Sequence, residues 1–320
     1  MTGKLAKKRL LGVYCRGILM GAADVVPGVS GGTVAFITGI YEELLDAIKS
    51  INVKAIKLLF AEGVTAAWSH INGNFLLVLM LGIVTSILLL ARVISYLLEA
   101  YPLLVWSFFF GLIVASCVHM VKQIKQWQPL TLIALLVGVV MAVAVTELKA
   151  VELVPGPAVF FGAGCIAICA MILPGISGSF ILVLLGMYGH VLAAAKDLQV
   201  TLLLAFVAGC GVGILSFSRV LSWLFTRFHD ATLALLTGFL IGSLNLVWPW
   251  KLVLSFYTNS HGKRFALEQE NVFPWVYQAQ TGIDPSTVFC VGLMVLGLIL
   301  VFLLEKSGEK ATEAGEKSSF

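Results

Sequence analysis

Apolar positions divide the chain into long runs that carry few charges. Six runs, 75–98, 101–121, 129–147, 201–224, 231–248 and 286–304, come close to or exceed the roughly 20 apolar residues that span a bilayer as a helix, and they predict full crossings. Two further runs, 14–48 and 157–195, are interrupted near the middle by a Pro-Gly hexapeptide, "PGVSGG" in the first and "PGISGS" in the second. Proline removes a backbone donor and clashes with the preceding turn, so each of these runs predicts two short helices. Half-segments of about 13 to 17 residues reach only about 20–25 Å, enough to dip into a bilayer and return on the same side. The stretches 49–74, 249–285 and 306–320 are more polar and predict an insertion, a loop and a tail.

The two broken runs are related. An offset of 147 aligns Pro27-Gly28-Val29-Ser30-Gly31 with Pro174-Gly175-Ile176-Ser177-Gly178, and also Gly39 with Gly186, Tyr41 with Tyr188 and Leu45 with Leu192. An offset of 127 then aligns 82–97 with 209–224, pairing Arg92 with Arg219 and Ser95 with Ser222, and continues through Gly111/Gly238 and Ser116/Ser243. The difference of 20 is the insertion after the first broken run. Ordered matches of Gly, Pro, Ser and Arg predict two homologous halves, 1–150 and 151–305, the plan of many secondary transporters.

Charge orients the halves. If each broken run is a re-entrant hairpin, three crossings separate the halves and they are inverted. With the N-terminus inside, the cytoplasmic side collects Lys4, Lys7, Lys8, Arg9, Arg16, Lys49, Lys54, Lys57, Lys122, Lys125, Arg227, Lys306, Lys310 and Lys317. The outer side holds Lys149, Lys196, Lys251, Lys263 and Arg264. Fourteen against five is the bias of the positive-inside rule, and it places insertion 49–74 and both termini inside and loop 249–285 outside. The expected fold is an all-α polytopic membrane protein of two inverted repeats, each a re-entrant hairpin and three transmembrane helices.

Composition supports this class: 59% of residues are hydrophobic, 12% are charged, and the mean hydropathy is +1.00. A net charge of +4 without a basic-aromatic surface gives no reason to expect nucleic acid as a partner. The six cysteines, Cys15, Cys117, Cys165, Cys169, Cys210 and Cys290, lie in apolar runs without a CxxC and read as small buried hydrophobes. No metal or cofactor is expected.

Broken backbone at membrane depth is tolerated only where it is buried in protein or lines a polar cavity. Each helix that restarts after a hexapeptide has its N-terminus there, with Ser30 or Thr33, and Ser177 or Ser179, as candidate N-caps. Free N–H groups and the helix dipole at such an end suit a phosphate or carboxylate. The candidate anion site is therefore Pro27, Gly28, Ser30, Gly31, Gly32 and Thr33 with Pro174, Gly175, Ser177, Gly178 and Ser179. The alternative is that the small residues merely let two kinked helices pack closely. Arg92 and Arg219 lie inside apolar runs, Arg92 toward the outer side and Arg219 toward the inner. Such charges face a cavity or a partner, or snorkel to the interface, and bidentate phosphate contact is the functional reading. Asp24, Glu42 and Glu43 face Met171, Gly189 and His190 at the same offset. Being unsymmetrical, they could serve proton or ion coupling or pair an arginine.

With "GAADVVPGVSGGTVAFITGIYEELLDAI", "LPGISGSFILVLLGMYGHVL" and "GFLIGSLNLVWPW", the chain resembles the bacterial undecaprenyl-phosphate translocases of the PopT type, over about residues 10–250. The resemblance implies a flippase of the cytoplasmic membrane. It would return undecaprenyl phosphate, the C55 polyprenyl-phosphate carrier lipid, from the outer to the inner leaflet for peptidoglycan and other envelope polymers. It also implies that the paired hexapeptides, Arg92 and Arg219 take the head group. The expected partners are the lipid and, as is common for such folds, a second copy of the chain. A transporter or channel for a small anion would use the same groups. A rhomboid-like serine protease is a third reading, because "GVSG" and "GISG" match its GxSG; it requires a histidine beside the serine.

Overall fold

The computed structural model describes residues 2–26, 29–148, 153–258 and 264–316. The helices of the first half are α1 (Thr2–Asp24), α2 (Gly31–Ile37), α3 (Tyr41–Lys49), α4 (Val53–Ala61), α5 (Val64–His70), α6 (Gly73–Ala100), α7 (Pro102–Gln123) and α8 (Pro129–Glu147). The second half contains α9 (Pro157–Ile172), α10 (Gly178–Leu184), α11 (Tyr188–Lys196), α12 (Val200–Arg227) and α13 (His229–Val247). Strands β1 (Lys251–Thr258) and β2 (Arg264–Asn271), then α14 (Pro274–Thr281) and α15 (Thr287–Glu316), complete it.

Among the described residues, α6, α7, α8, α12 and α13 are long and apolar enough to cross a membrane, and the bent pair α10–α11 adds a broken segment turned through 105°. Residues 157–172 form a shorter apolar helix, and the expected crossing at 286–304 lies in α15, whose residues 287–303 are apolar. The chain is an integral membrane protein with helical architecture. Burial separates the helices into layers. The apolar window of α13 is 61% buried and that of α7 50%, against 17% for α6 and α8 and 11% for α12. Helices α7 and α13 therefore form the centre, while α6, α8 and α12 present long apolar faces outward, such as Leu81, Leu88 and Leu89 of α6.

Helix pairs are joined where glycines let backbones touch. A Cβ on Gly17 of α1 would strike the Leu79 carbonyl of α6, and one on Gly82 would strike the Tyr14 carbonyl. In α9–α12 the same collisions involve Gly164 with the Phe206 carbonyl and Gly209 with the Phe161 carbonyl. Every residue of the second set lies at the 147 or 127 offset from its counterpart. A second contact is also doubled: Gly111 meets Met294 and Gly297 meets Phe108 between α7 and α15, while Gly238 meets Leu135 and Gly138 meets Leu235 between α13 and α8, the α7 and α13 residues again 127 apart. Where lipid removes any hydrophobic drive for helices to associate, close packing of small residues is what holds them together.

Two polar stretches have more structure than a loop. The insertion carries α4 and α5. The stretch 249–285 carries an antiparallel hairpin, Lys251 opposite Asn271, and α14, so the architecture is not wholly helical. The end of α13 and the start of that hairpin have specific anchors. The Trp248 indole donates to the Val272 carbonyl at 2.8 Å and that of Trp250 to the Pro285 carbonyl at 3.0 Å. Lys251 donates to the Leu246 carbonyl at the end of α13, and its ammonium lies 5.4 Å from the Trp106 ring centre. Expected as tail, residues 306–316 continue α15 as helix.

Gly209→Ala should destabilise the protein by about 1–3 kcal/mol through overpacking. Gly211→Ala, two residues on and facing open space, should stabilise it by roughly 0.5–1 kcal/mol. Thermal unfolding in detergent compares the two. Burial pushes the Lys251 ammonium down to about 8 from its ordinary 10.5. Between those values the unfolded chain holds a proton that the folded chain has lost, so stability should rise from about pH 8 toward 10.5. Lys251→Met should flatten that rise in the same unfolding measurement.

Candidate functional site

Breaking a helix orphans the N–H groups of the segment that restarts and the carbonyls of the one that ends. At the first hexapeptide the chain supplies its own acceptors. Ser30, in extended backbone (φ −121°, ψ 137°), caps α2: its Oγ accepts from the Gly32 N–H at 3.1 Å. The Asp24 carboxylate, from the end of α1, accepts from the Gly31 N–H at 2.7 Å. A side chain on Gly31 would collide with that carboxylate. Pro27 and Gly28 lie outside the described residues.

The carbonyls orphaned at the end of α9 are met by the other half. Ser30 Oγ donates to the Met171 carbonyl at 2.9 Å, and the Tyr41 hydroxyl donates to the Ile172 carbonyl at 3.2 Å. In return, Thr33 Oγ1 accepts from the Gly175 N–H at 3.1 Å. A Cβ on Gly32 would sit 2.5 Å from the Ile172 carbonyl, so only glycine permits this approach. Ser30 and Thr33 are fully buried, and Ser177 nearly so. The first hexapeptide and the residues after it thus meet the end of α9 and Gly175 in a buried junction with three hydrogen bonds between the halves.

The second hexapeptide is built differently. Ser177 stands at the N-cap position of α10 without a side-chain cap bond, and its Oγ shares a 2.8 Å hydrogen bond with Ser179 Oγ. Gly175 has φ +85°, a conformation that favours glycine, and is wedged against Phe239 and Leu240 of α13. Gly178 abuts the Ala167 carbonyl of α9. Beside this turn, Thr146, Gly175, Ser177, Phe180 and Ser243 line a cavity of about 10 Å³, room for about one water. Where Asp24 occupies the first helix start, the second offers only Met171 at the matching position.

The arginines are elsewhere. Arg92 and Arg219 are exposed on α6 and α12, and neither bonds the described residues of either hexapeptide. Arg92 stands among the exposed Leu88, Leu89, Val93 and Tyr96, and Arg219 beside the exposed Val220 and Trp223. Glu43 is held by Arg9 at 2.8 Å and by Asn72 at 3.0 Å. Glu42 lies 3.5 Å from His229. Neither Ser30 nor Ser177 has a histidine as hydrogen-bond partner among the described residues.

Sequence reasoning missed a polar contact between α3 and α12. Lys49 Nζ donates to Ser222 Oγ at 2.9 Å, and Ser222 donates to the Asp46 carboxylate at 3.3 Å. Beside it a cavity of about 130 Å³ is lined by Glu42, Leu45, Asp46, Ser222, Phe225 and His229. Ser222 was visible as the offset partner of Ser95, but nothing local in the sequence joins it to Lys49.

A family described as undecaprenyl phosphate translocase-like matches residues 20–265, a range that takes in both hexapeptides and both arginines. The chain belongs to that family. A polyprenyl-phosphate transporter of Vibrio cholerae is 49% identical over 310 residues, covering 97% of this chain and all of the relative. One of Staphylococcus aureus is 29% identical over 252 residues, covering 73% of this chain and 84% of the relative. No solved structure matches at a significant level.

Within this family member, Thr33→Val should leave the buried Gly175 N–H without its acceptor and cost about 1–3 kcal/mol. Thr33→Ser, which keeps the oxygen, should cost less. Unfolding in detergent measures both.

Proposed function

We propose that this chain is a translocase of polyprenyl phosphate, with undecaprenyl phosphate as its substrate. It returns the carrier lipid from the outer to the inner leaflet of the bacterial cytoplasmic membrane for reuse in peptidoglycan and envelope polymer synthesis. The observation that carries this reading is the near full-length likeness to a polyprenyl-phosphate transporter. In this reading the two halves are inverted, the termini lie in the cytoplasm, and α6, α7 and α8 are the three crossings that separate the hairpins.

The arginines give the reading a physical basis. Helices α6 and α12 each have 28 residues, about 42 Å at 1.5 Å per residue. Each arginine stands eight residues before its helix's last residue, about 8 Å from the midpoint and inside a hydrocarbon layer of about 30 Å. A guanidinium on an outward, apolar face at that depth is costly without a partner. A lipid phosphate, whose tail remains in the bilayer, is a partner that can reach it and take a bidentate contact. With inverted halves, Arg92 serves the outer leaflet and Arg219 the inner.

Between them lies the junction of hexapeptides. The phosphate passes at or beside these turns, contacting Ser30, Gly31, Gly32, Thr33, Gly175, Ser177, Gly178 and Ser179, and the unmatched Asp24, Glu42 and Glu43 supply any proton or ion coupling. Because the junction is buried and its cavity has room for about one water, the hairpins must separate before a phosphate can use their amides. Transport then requires the three hydrogen bonds of this junction to open and re-form.

Purified protein in liposomes should move labelled polyprenyl phosphate between leaflets. Arg92→Ala and Arg219→Ala should each slow that movement by roughly tenfold or more, about 1.4 kcal/mol or more in barrier, with Arg→Lys intermediate. Uptake of inorganic phosphate without lipid movement, or unchanged rates in both alanine variants, would overturn the assignment.

A further inference from the structure

The α3–α12 contact has a counterpart that is not made. Adding 147 to Lys49 gives Lys196 at the end of α11, and subtracting 127 from Ser222 gives Ser95 on α6. Lys49 and Ser222 are hydrogen-bonded at 2.9 Å. Lys196 and Ser95 are both exposed, and no hydrogen bond joins them.

The difference extends along both helices. Tyr41 and Leu45 of α3 are 2% and 1% exposed, whereas Tyr188 and Leu192 of α11 are 40% and 54% exposed. Phe225, against which the Tyr41 ring packs at 6.0 Å, is buried, while its counterpart Leu98 is only partly so. Helix α3 is packed along α12; α11 has no comparable packing on α6. Two hairpins aligned at one constant offset are thus found in two arrangements, one arm docked and the other undocked.

Resting on the translocase reading above, we propose that Lys49–Ser222 and Lys196–Ser95 are two alternative latches. Each closes one side of the membrane, and they are made in turn as the carrier lipid crosses. In inverted halves, α3–α12 and α11–α6 close opposite sides. If the halves exchange arrangements, α11 docks on α6, α3 leaves α12, and access passes from one leaflet to the other. Tyr188 and Leu192 then become buried as Tyr41 and Leu45 are here. Lys49, Ser222, Lys196 and Ser95 are positioning residues, since they act by holding a hairpin arm and not by touching the phosphate. Asp46, which accepts from Ser222, has Ala193 as its counterpart, so the α3–α12 latch has one more bond than the other. That difference favours the arrangement seen here.

The test places cysteine pairs in the full chain, with its six native cysteines replaced by serine, and treats membranes with a short bis-maleimide. One pair is Lys49→Cys with Ser222→Cys, and the other Ser95→Cys with Lys196→Cys. Both pairs should link within one chain, and each linked protein should lose lipid movement by roughly tenfold or more, because one gate no longer opens. Lys49→Ala added to the Ser95/Lys196 pair should raise its linking, since weakening one latch populates the other state. A merely structural Lys49 would not produce that rise.

Failure of the 95/196 pair to link while wild-type protein moves lipid would overturn the latches and leave the substrate reading intact. Linking between two chains, seen as a dimer-sized product, would also overturn them. Linking of both pairs in a protein that moves no polyprenyl phosphate would support the latches and refute the substrate. Size-exclusion profiles of the unlinked variants separate these results from misfolding.

Discussion

Everything in this molecule follows from one constraint: inside a membrane, backbone polar groups freed by a broken helix must find partners within the protein. The chain breaks two helices, and the resulting groups serve one another. Carbonyls at the end of α9 accept from Ser30 and Tyr41 of the first half, and the Gly175 N–H donates to Thr33. Those bonds require close approach, which explains glycine at position 32. They also require that both breaks lie at the same depth, which helices α1–α6 and α9–α12 secure through matched glycine contacts. At this junction the halves are joined by a small set of polar bonds in an apolar surround.

The same constraint explains the unequal hexapeptides. Asp24 fills the helix start in the first half with the protein's own carboxylate, whereas the second half has no acid at that place. An acidic side chain at the first helix start and none at the second is an asymmetry that two identical motifs would not predict. With the docked α3 and undocked α11, it makes the two halves structurally unequal.

Much of this was legible in the sequence. Hydrophobic run lengths located α6, α7, α8, α12 and α13 within a few residues, and proline with glycine located both breaks, because these features depend on local backbone chemistry. The offsets 147 and 127 foretold which glycines and serines would correspond. Partners across space were not legible. Lys49 meeting Ser222, or Ser30 meeting the Met171 carbonyl, depends on how hairpins dock, and a carbonyl leaves no trace in residue type. Arg92 and Arg219 were read as head-group ligands from their place inside apolar runs, but run position does not give helix rotation, and both lie on outer faces of α6 and α12. The stretch 249–285 was read as a loop because the alternation in β1 is short and its anchors, Trp248 and Trp250, look like interfacial belt residues until their acceptors are known.

On the proposed function, an anionic lipid whose tail stays in the bilayer accounts for the outward arginines and for hairpins found in two arrangements. The most direct measurement is a structure of the protein in lipid nanodiscs with polyprenyl phosphate. The account predicts phosphate density against Arg92 or Arg219, on the side that leads to the Pro-Gly junction. Density for the phosphate on another face, with both guanidinium groups away from it and the junction unchanged, would contradict it.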